Sequence, residues 1–556
     1  MSWKNFVSEC EKLILPVAGQ AALEVPPREV SADLAFACFE LAKQQKRSPF
    51  EIAKQLEAEI GKEKKALVKE VKASGPYLNF YLDYEKFTPS VLKEILSQKS
   101  KYGSGKKKKE TIVIEFPGPN TNKPLHLGHM RNMVLGTSVS NIMRFLGYNV
   151  KNVDIINDRG VHICKSMMAY REFGGGEPDK KPDHFVGDFY VMFAKRLEGQ
   201  EGTEQKLHEM LVDWENGNKE VRALWKKMNK WCVSGIHETY KRFGVRTDKT
   251  YYESQHYLKG KKIVVDGLKK RIFTREPDES VIIDLGDRGL GKRVLLRGDG
   301  TSVYITQDMA LAAERFRDFM MDRMIYVVGE EQRDHFRALF AILEILGYKF
   351  AKKCYHLYYG MVNLPEGKMK SREGTVVDAD DLMDEMQKVA AEKLRERAVA
   401  ELDVAKRAEK IGLGAIKYFI VKFDPGRAIT YDPKASIEFE GDTGPYLQYT
   451  YARANSILGK SVKAPKAGAL GEEKECTLVK KLSQFPLILE KSAEEFKPNL
   501  LANYLFELAT LFNDFYHSVK VVGSEKEGER LALVVSVMQV LENGLGLLGI
   551  DVLKEM

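Results

Sequence analysis

A chain of 556 residues is too long for one hydrophobic core, so several domains are expected. Hydrophobic residues make up 44% and charged residues 30%, which is ordinary for a soluble globular protein, and the net charge of +8 permits a polyanionic partner without demanding one. The six cysteines lie apart with no Cys-x-x-Cys pair, which argues against a disulfide framework or a structural zinc site and fits a reducing compartment.

Glu9, Glu11 and Lys12 interrupt the first apolar stretch, so it does not read as a signal peptide. No uninterrupted apolar run approaches ~18 residues, so no membrane contact is expected and the cytoplasm is the default setting. Residues 1–107 read as a small α+β unit. Helical spacing covers Ala32–Ala42 and Pro49–Ile60, and a strand follows within 75–82. The basic stretch 100–109 reads as a linker, with RNA contact as the other reading. Residues 111–170 then run strand, turn, long helix, strand (Tyr148–Ile156), helix, the start of a parallel α/β sheet. The span 172–290 reads as an insertion carrying a charged helix near 204–243. After it come a hairpin (Lys292–Arg297 and Ser302–Thr306), a helix (Asp308–Met320), a strand (Met324–Val328) and a helix (Asp334–Leu346). From 383 to 556 helical periodicity dominates, broken by polar loops near 460–474 and 522–529, which predicts an all-α bundle.

Two motifs carry chemistry. His126-Leu127-Gly128-His129 opens a helix straight after the strand-like Thr111–Phe116 and a Pro/Gly/Asn turn. Free backbone N–H groups and two imidazoles meet there, a point suited to nucleotide phosphates. Gly128 lets a base or ribose approach the backbone. The bland reading is a pair of capping histidines; the preceding strand, the turn and Lys123 weigh against it. The second motif is Gly367 to Val377, a Gly-bracketed loop whose cations Lys368, Lys370 and Arg372 can offset charge moving onto a leaving pyrophosphate.

With these motifs in place the chain resembles the class I aminoacyl-tRNA synthetases, and within them the arginine enzymes. His126 to His129 is similar to the HIGH signature, and Lys368 to Arg372 stands where KMSKS belongs. Glu115 to Asn120, Lys123 to His126, and Phe439 to Tyr449 continuing to Ala452-Arg453 resemble the arginine enzymes' own versions. The resemblance implies a Rossmann-like parallel-sheet catalytic core (108–382) split by the insertion. It also implies a small N-terminal tRNA-binding domain (1–107) and a helical anticodon-binding bundle (383–556). The second KMSKS lysine falls on Ser371. In the family a lysine before HIGH substitutes, which points to Lys123, and Lys370 can share the task.

The same resemblance implies catalytic roles for His126, His129, Lys123, Lys368 and Lys370, and ATP contacts from Gly128 and Met369 as well. It places arginine at Glu115, Asn120, Tyr304, Asp308 and Gln332. A guanidinium wants a carboxylate opposite its planar fork, and Asp308 is the candidate, its bland alternative being a helix N-cap. Tyr446, Gln448, Tyr449 and Arg453 are candidates for tRNA bases. Residues 158–162 depart from the family's Trp-Gly pattern. The implied partners are ATP with substrate-borne Mg2+, L-arginine and tRNA(Arg), with no protein-bound metal and a monomeric chain. The resemblance also implies that activation needs bound tRNA. Rivals are a cysteinyl enzyme, which would want a zinc site, a glutamyl enzyme, which would want a cationic pocket, a small adenylyltransferase, and an RNA-binding module without chemistry.

Overall fold

The computed structural model describes residues 3–27, 30–365, 377–396 and 401–556. The N-terminal unit contains α1 (Trp3–Ala18), β1 (Leu23–Glu24), β2 (Leu34–Ala37), α2 (Phe39–Gln45), α3 (Pro49–Ile60), β3 (Val68–Ser74), β4 (Tyr77–Leu82) and α4 (Tyr84–Gln98). Its antiparallel sheet runs β1-β2-β4-β3. The helix expected over Ala32–Ala42 is corrected: Leu34 and Phe36, two apart, bury against β4 at Phe80 and Leu78, and α2 begins only after Cys38. Period-2 burial outweighs the alanines' helical preference there. The basic stretch beyond α4 is tied to the next domain. Lys108 N donates to the Gly147 carbonyl (2.7 Å), and its ammonium lies 3.7 Å from the Tyr148 ring centroid.

The chain continues through β5 (Thr111–Glu115), α5 (Leu127–Phe145), β6 (Asn149–Ile156), α6 (Val161–Phe173), α7 (Pro182–Arg196), α8 (Thr203–Glu215), α9 (Lys219–Phe243) and β7 (Lys249–Tyr252). Next come α10 (Glu253–His256), α11 (Lys259–Lys269), β8 (Thr274–Arg275), β9 (Val281–Asp284), β10 (Lys292–Leu296), α12 (Tyr304–Phe319), β11 (Arg323–Gly329), α13 (Arg333–Ile345), β12 (Cys354–Tyr359) and β13 (Val362–Asn363). The central sheet is parallel throughout, in the order β12-β11-β5-β6-β7. Ile112, Val113 and Ile114 are all fully buried. Ile112 and Ile114 join one core and Val113 the other, because helices cover both faces.

Three expectations need correction. The 172–290 span is not wholly an insertion, since its β7 forms the edge of the central sheet beside β6. The second hairpin strand shrinks to one bridge, Leu296 to Ser302, and β10 pairs with β9 instead. Helix α12 begins at Tyr304, four residues earlier than expected, so Tyr304 and Asp308 stand one turn apart on it.

The helical half holds α14 (Ala379–Glu396), α15 (Glu401–Val421), a short β14 (Ile429–Thr430), α16 (Pro433–Ser436), α17 (Gly444–Gly459), α18 (Glu473–Ser483), α19 (Phe485–Glu494), α20 (Asn499–Ser518) and α21 (Glu527–Leu547). Among the described residues α21 is the one helix long and apolar enough to cross a membrane. Val534, Val537 and Leu541 on it are fully buried, so it serves as the central helix of the bundle.

Candidate active site

Strand β5 leads rightward to β6, while its other neighbour, β11, arrives much later in the chain. This reversal opens a crevice at the carboxyl ends of β5 and β11. A cleft of about 1240 Å³ lies there. It is lined by Glu115, Asn120, His126, Gly128, His129, Tyr304, Asp308 and Gln332, so it gathers the described candidates for ATP and arginine except Lys123. Asn132, Gly329, His335 and Phe336 complete much of the wall.

The two histidines cap α5 and open on the cleft at once. His126 is the N-cap, with extended backbone, and its Nδ1 accepts from Gly128 N (3.1 Å). His129 Nδ1 accepts from His126 N (3.1 Å), and the rings sit 3.9 Å apart. Both Nδ1 atoms are therefore acceptors, which leaves each proton on Nε2. Burial, and then the Lys123 charge, push His126 down to about 4; burial, His126 and Lys123 push His129 well below its usual value. Both imidazoles are neutral at pH 7, each carrying its proton on Nε2. The capping contacts therefore leave both side chains on the wall of the cleft.

Strand β5 ends in Glu115, a buried carboxylate paired with the buried guanidinium of Arg315 on α12. Burial pushes this carboxyl up, and Arg315 opposes the rise. Arg315 also lies 5.3 Å from the Tyr251 ring centroid and 5.8 Å from that of Tyr326. Asp308 is not an N-cap, since Val303 holds that place. Its carboxylate is 2.6 Å from His335 Nε2 on α13. Tyr304 is 74% exposed, so its ring stands free over the opening. Gln332 ends the short turn that links β11 to α13.

Lys368, Met369 and Lys370 lie outside the described residues. Pro365 and Val377 both line the cleft. The Val377 carbonyl accepts from Leu127 N (3.0 Å), and Ala379 N donates to the Leu125 carbonyl (2.9 Å). Of residues 158–162, the last four border a second cavity of about 1050 Å³ that shares Asn120, Asn157 and Tyr304 with the cleft. Asp158 accepts from Ser254 N (2.8 Å) and Oγ (2.7 Å), and Arg159 stacks on Tyr257 (4.1 Å). Asp158 thereby ties the end of β6 to α10, and Arg159 ties it to the residue just past that helix.

Comparison with known proteins agrees with this geometry. The family model for the class I (R) tRNA synthetase catalytic domain matches residues 91–425. Models for the arginyl-tRNA synthetase N-terminal domain and the DALR anticodon-binding domain match 4–82 and 447–556. An arginine–tRNA ligase of Treponema denticola is 46% identical, over 98% of this chain and 96% of its own length. The chain belongs to the arginyl-tRNA synthetase family. A Treponema pallidum arginine–tRNA ligase is 41% identical over 97% of this chain and 96% of its own. The Thermus thermophilus arginyl-tRNA synthetase structure superposes with a TM-score of 0.85 at 26% identity, covering 100% of both chains.

In the synthetase's helical half the tRNA candidates divide. Gln448 is corrected: it is fully buried, its Nε2 donating to the Lys410 (3.1 Å) and Asp551 (2.7 Å) carbonyls, so it packs the bundle. Arg453 sits between the Tyr449 and Tyr516 rings (4.9 and 5.0 Å) and donates to Asn513 Oδ1. Tyr446 Oη accepts from Asn513 Nδ2 (2.9 Å). Sequence reasoning missed Arg315, His335 and Arg131. The buried Arg131 guanidinium donates to the Met361 (3.3 Å), Pro425 (2.9 Å) and Arg427 (2.6 Å) carbonyls, pinning α5 beneath the cleft. Arg131 stands two residues past His129, and that spacing was its one visible signal.

Proposed function

We propose that this cleft activates L-arginine with ATP and transfers it to tRNA(Arg). The arginine carboxylate attacks the α-phosphorus, pyrophosphate leaves, and arginyl-adenylate remains. A tRNA ribose hydroxyl then takes the arginyl group and AMP departs. One observation carries the reading: the neutral imidazoles of His126 and His129 share a single cleft with Asp308, Tyr304 and Gln332.

The chain's own work is positioning and charge stabilisation. The first turn of α5 offers backbone N–H groups and a positive dipole end to phosphate. The two Nε2–H groups donate to oxygens on which charge develops. Lys123, whose charge already reaches both imidazoles, supplies a cation, and Lys368 and Lys370 are proposed as further cations on the leaving pyrophosphate. Mg2+ arrives with ATP. Asp308 faces the guanidinium, with Tyr304 and Gln332 beside it, and Glu115 and Asn120 receive the α-amino group. Residues 1–107 and 383–556 hold tRNA, the latter through Tyr446, Tyr449 and Arg453, in a monomer working in the cytoplasm.

The test is charging of tRNA by purified protein with ATP and each of twenty amino acids in turn. Arginine alone is expected to be attached. Attachment of another amino acid in its place overturns the arginine reading, and no ATP-dependent attachment overturns the whole.

A further inference from the structure

The catalytic helix is braced from outside the cleft by α7, an element of the 172–290 span. Two contacts carry this. At the start of α7, Lys181 Nζ donates to Asp380 Oδ2 (2.6 Å), Thr239 Oγ1 (2.6 Å) and Asp183 Oδ2 (3.0 Å). His184, one turn on, lies 3.2 Å from Asp380 and 3.6 Å from Asp378. In mid-helix, Gly187 packs so closely on the turn before the histidines that a Cβ there would sit 2.7 Å from Pro124 Cδ and 3.6 Å from Lys123 Cα.

The first contact reaches the histidines through the backbone. Asp378 forms a bridge with His126, and the carbonyl of Val377 and the N–H of Ala379 bond to Leu127 and Leu125. Asp378 Oδ1 also caps α14 at Asp380 N (2.8 Å). Residues 377–380 are thus a strap laid across the first turn of α5, fastened at its far end by Lys181. Asp183, His184 and Asp380 are near enough to hold a cation, and the Lys181 ammonium already makes ion pairs with Asp183 and Asp380.

We propose that Lys181 is a positioning residue for the adenylate-forming step, acting through Asp380 and the 377–380 strap on His126, while Gly187 sets the placement of Lys123. The inference rests on the assignment of His126 and Lys123 to ATP. A displacement near 1 Å at such groups costs up to ~10²-fold in rate, while binding of arginine at Asp308, on α12, is left alone.

Arginine-dependent ATP–pyrophosphate exchange, with tRNA present, tests it on Lys181→Met, Lys181→Arg, Gly187→Ala and His126→Asn. Lys181→Met is expected to lose at least about tenfold in kcat with KM for arginine within about twofold, Gly187→Ala to show the same split, and Lys181→Arg to recover most of the loss. A folded Lys181→Met enzyme with unchanged kcat overturns the proposal, as does an equal loss in Lys181→Arg. Should Lys181→Met fail to fold, Asp380→Asn decides by the same criteria, since Lys181 then keeps Asp183 as partner. Exchange that persists in His126→Asn at the wild-type rate breaks the assignment of the histidines instead, whatever Lys181 does.

Discussion

Asp308→Asn removes one charge and almost no volume. The structure sets the size of the effect. The side chain is 36% exposed and lies 2.6 Å from His335, so the carboxylate is partly solvated and the full cost of breaking a buried ion pair does not apply. A hydrogen bond to a charged group is worth about 1.5–3 kcal/mol, and the upper half of that range suits a planar carboxylate facing a guanidinium fork. A loss of about 2–3 kcal/mol raises KM for arginine roughly 30- to 150-fold. Asp308 belongs to α12 and not to the helix start that carries the imidazoles, so KM for ATP is expected to stay within about twofold. Steady-state aminoacylation at saturating tRNA, varying arginine and ATP separately, measures both. Equal losses for the two substrates, or an unchanged KM for arginine, refute the placement of the guanidinium.

Arg315→Met strands the buried Glu115 carboxylate and is expected to cost about 3–5 kcal/mol of stability, read from urea midpoints, with most of it recovered in the Arg315→Met, Glu115→Gln double variant. His126 titrates at about 4 in the folded chain against an ordinary 6.5, so the unfolded chain binds that proton more tightly. Its contribution is complete above pH ~6.5 and drains away as pH falls toward 4, by about 3 kcal/mol at most; His126→Asn should make the acid limb of stability shallower in that window, and an unchanged limb counts against a neutral His126. Gly136→Ala places a methyl group into the Phe116 ring behind Glu115. Overpacking of about 1–3 kcal/mol should outweigh the ~1 kcal/mol helical gain and lower the melting temperature, whereas a rise would show that Phe116 can yield.

The parts of the molecule most readable in the sequence are those where pattern and burial agree. The run Thr111–Glu115 is apolar on both faces because helices cover both, and it leads into a helix whose N-cap is the first histidine. The resemblance to arginine enzymes placed Tyr304, Asp308 and Gln332 in one pocket, and all three line the cleft. What stayed hidden depends on distant partners. The edge strand Lys249–Tyr252 is four residues long and half polar, so nothing local marks it as part of the central sheet. Leu34–Ala37 is a strand because Phe80 and Leu78 wait opposite, 40 and more residues on. Arg315 looks like one more charge on an amphipathic helix; only the fold brings Glu115 to it. Gln448 sits among tyrosines in the sequence, yet its helix turns it to the Asp551 carbonyl at the chain's end. Lys181 reads as a solvated charge until Asp380, 199 positions later, meets it.

A crystal structure with a non-hydrolysable arginyl-adenylate analogue tests the central claim most directly. The guanidino group should lie within hydrogen-bond distance of the Asp308 carboxylate, with the phosphate surrogate against the Nε2 atoms of His126 and His129. An analogue whose guanidino end turns instead into the neighbouring cavity beside Arg159 and Glu253, or whose phosphate surrogate touches neither imidazole, contradicts the account.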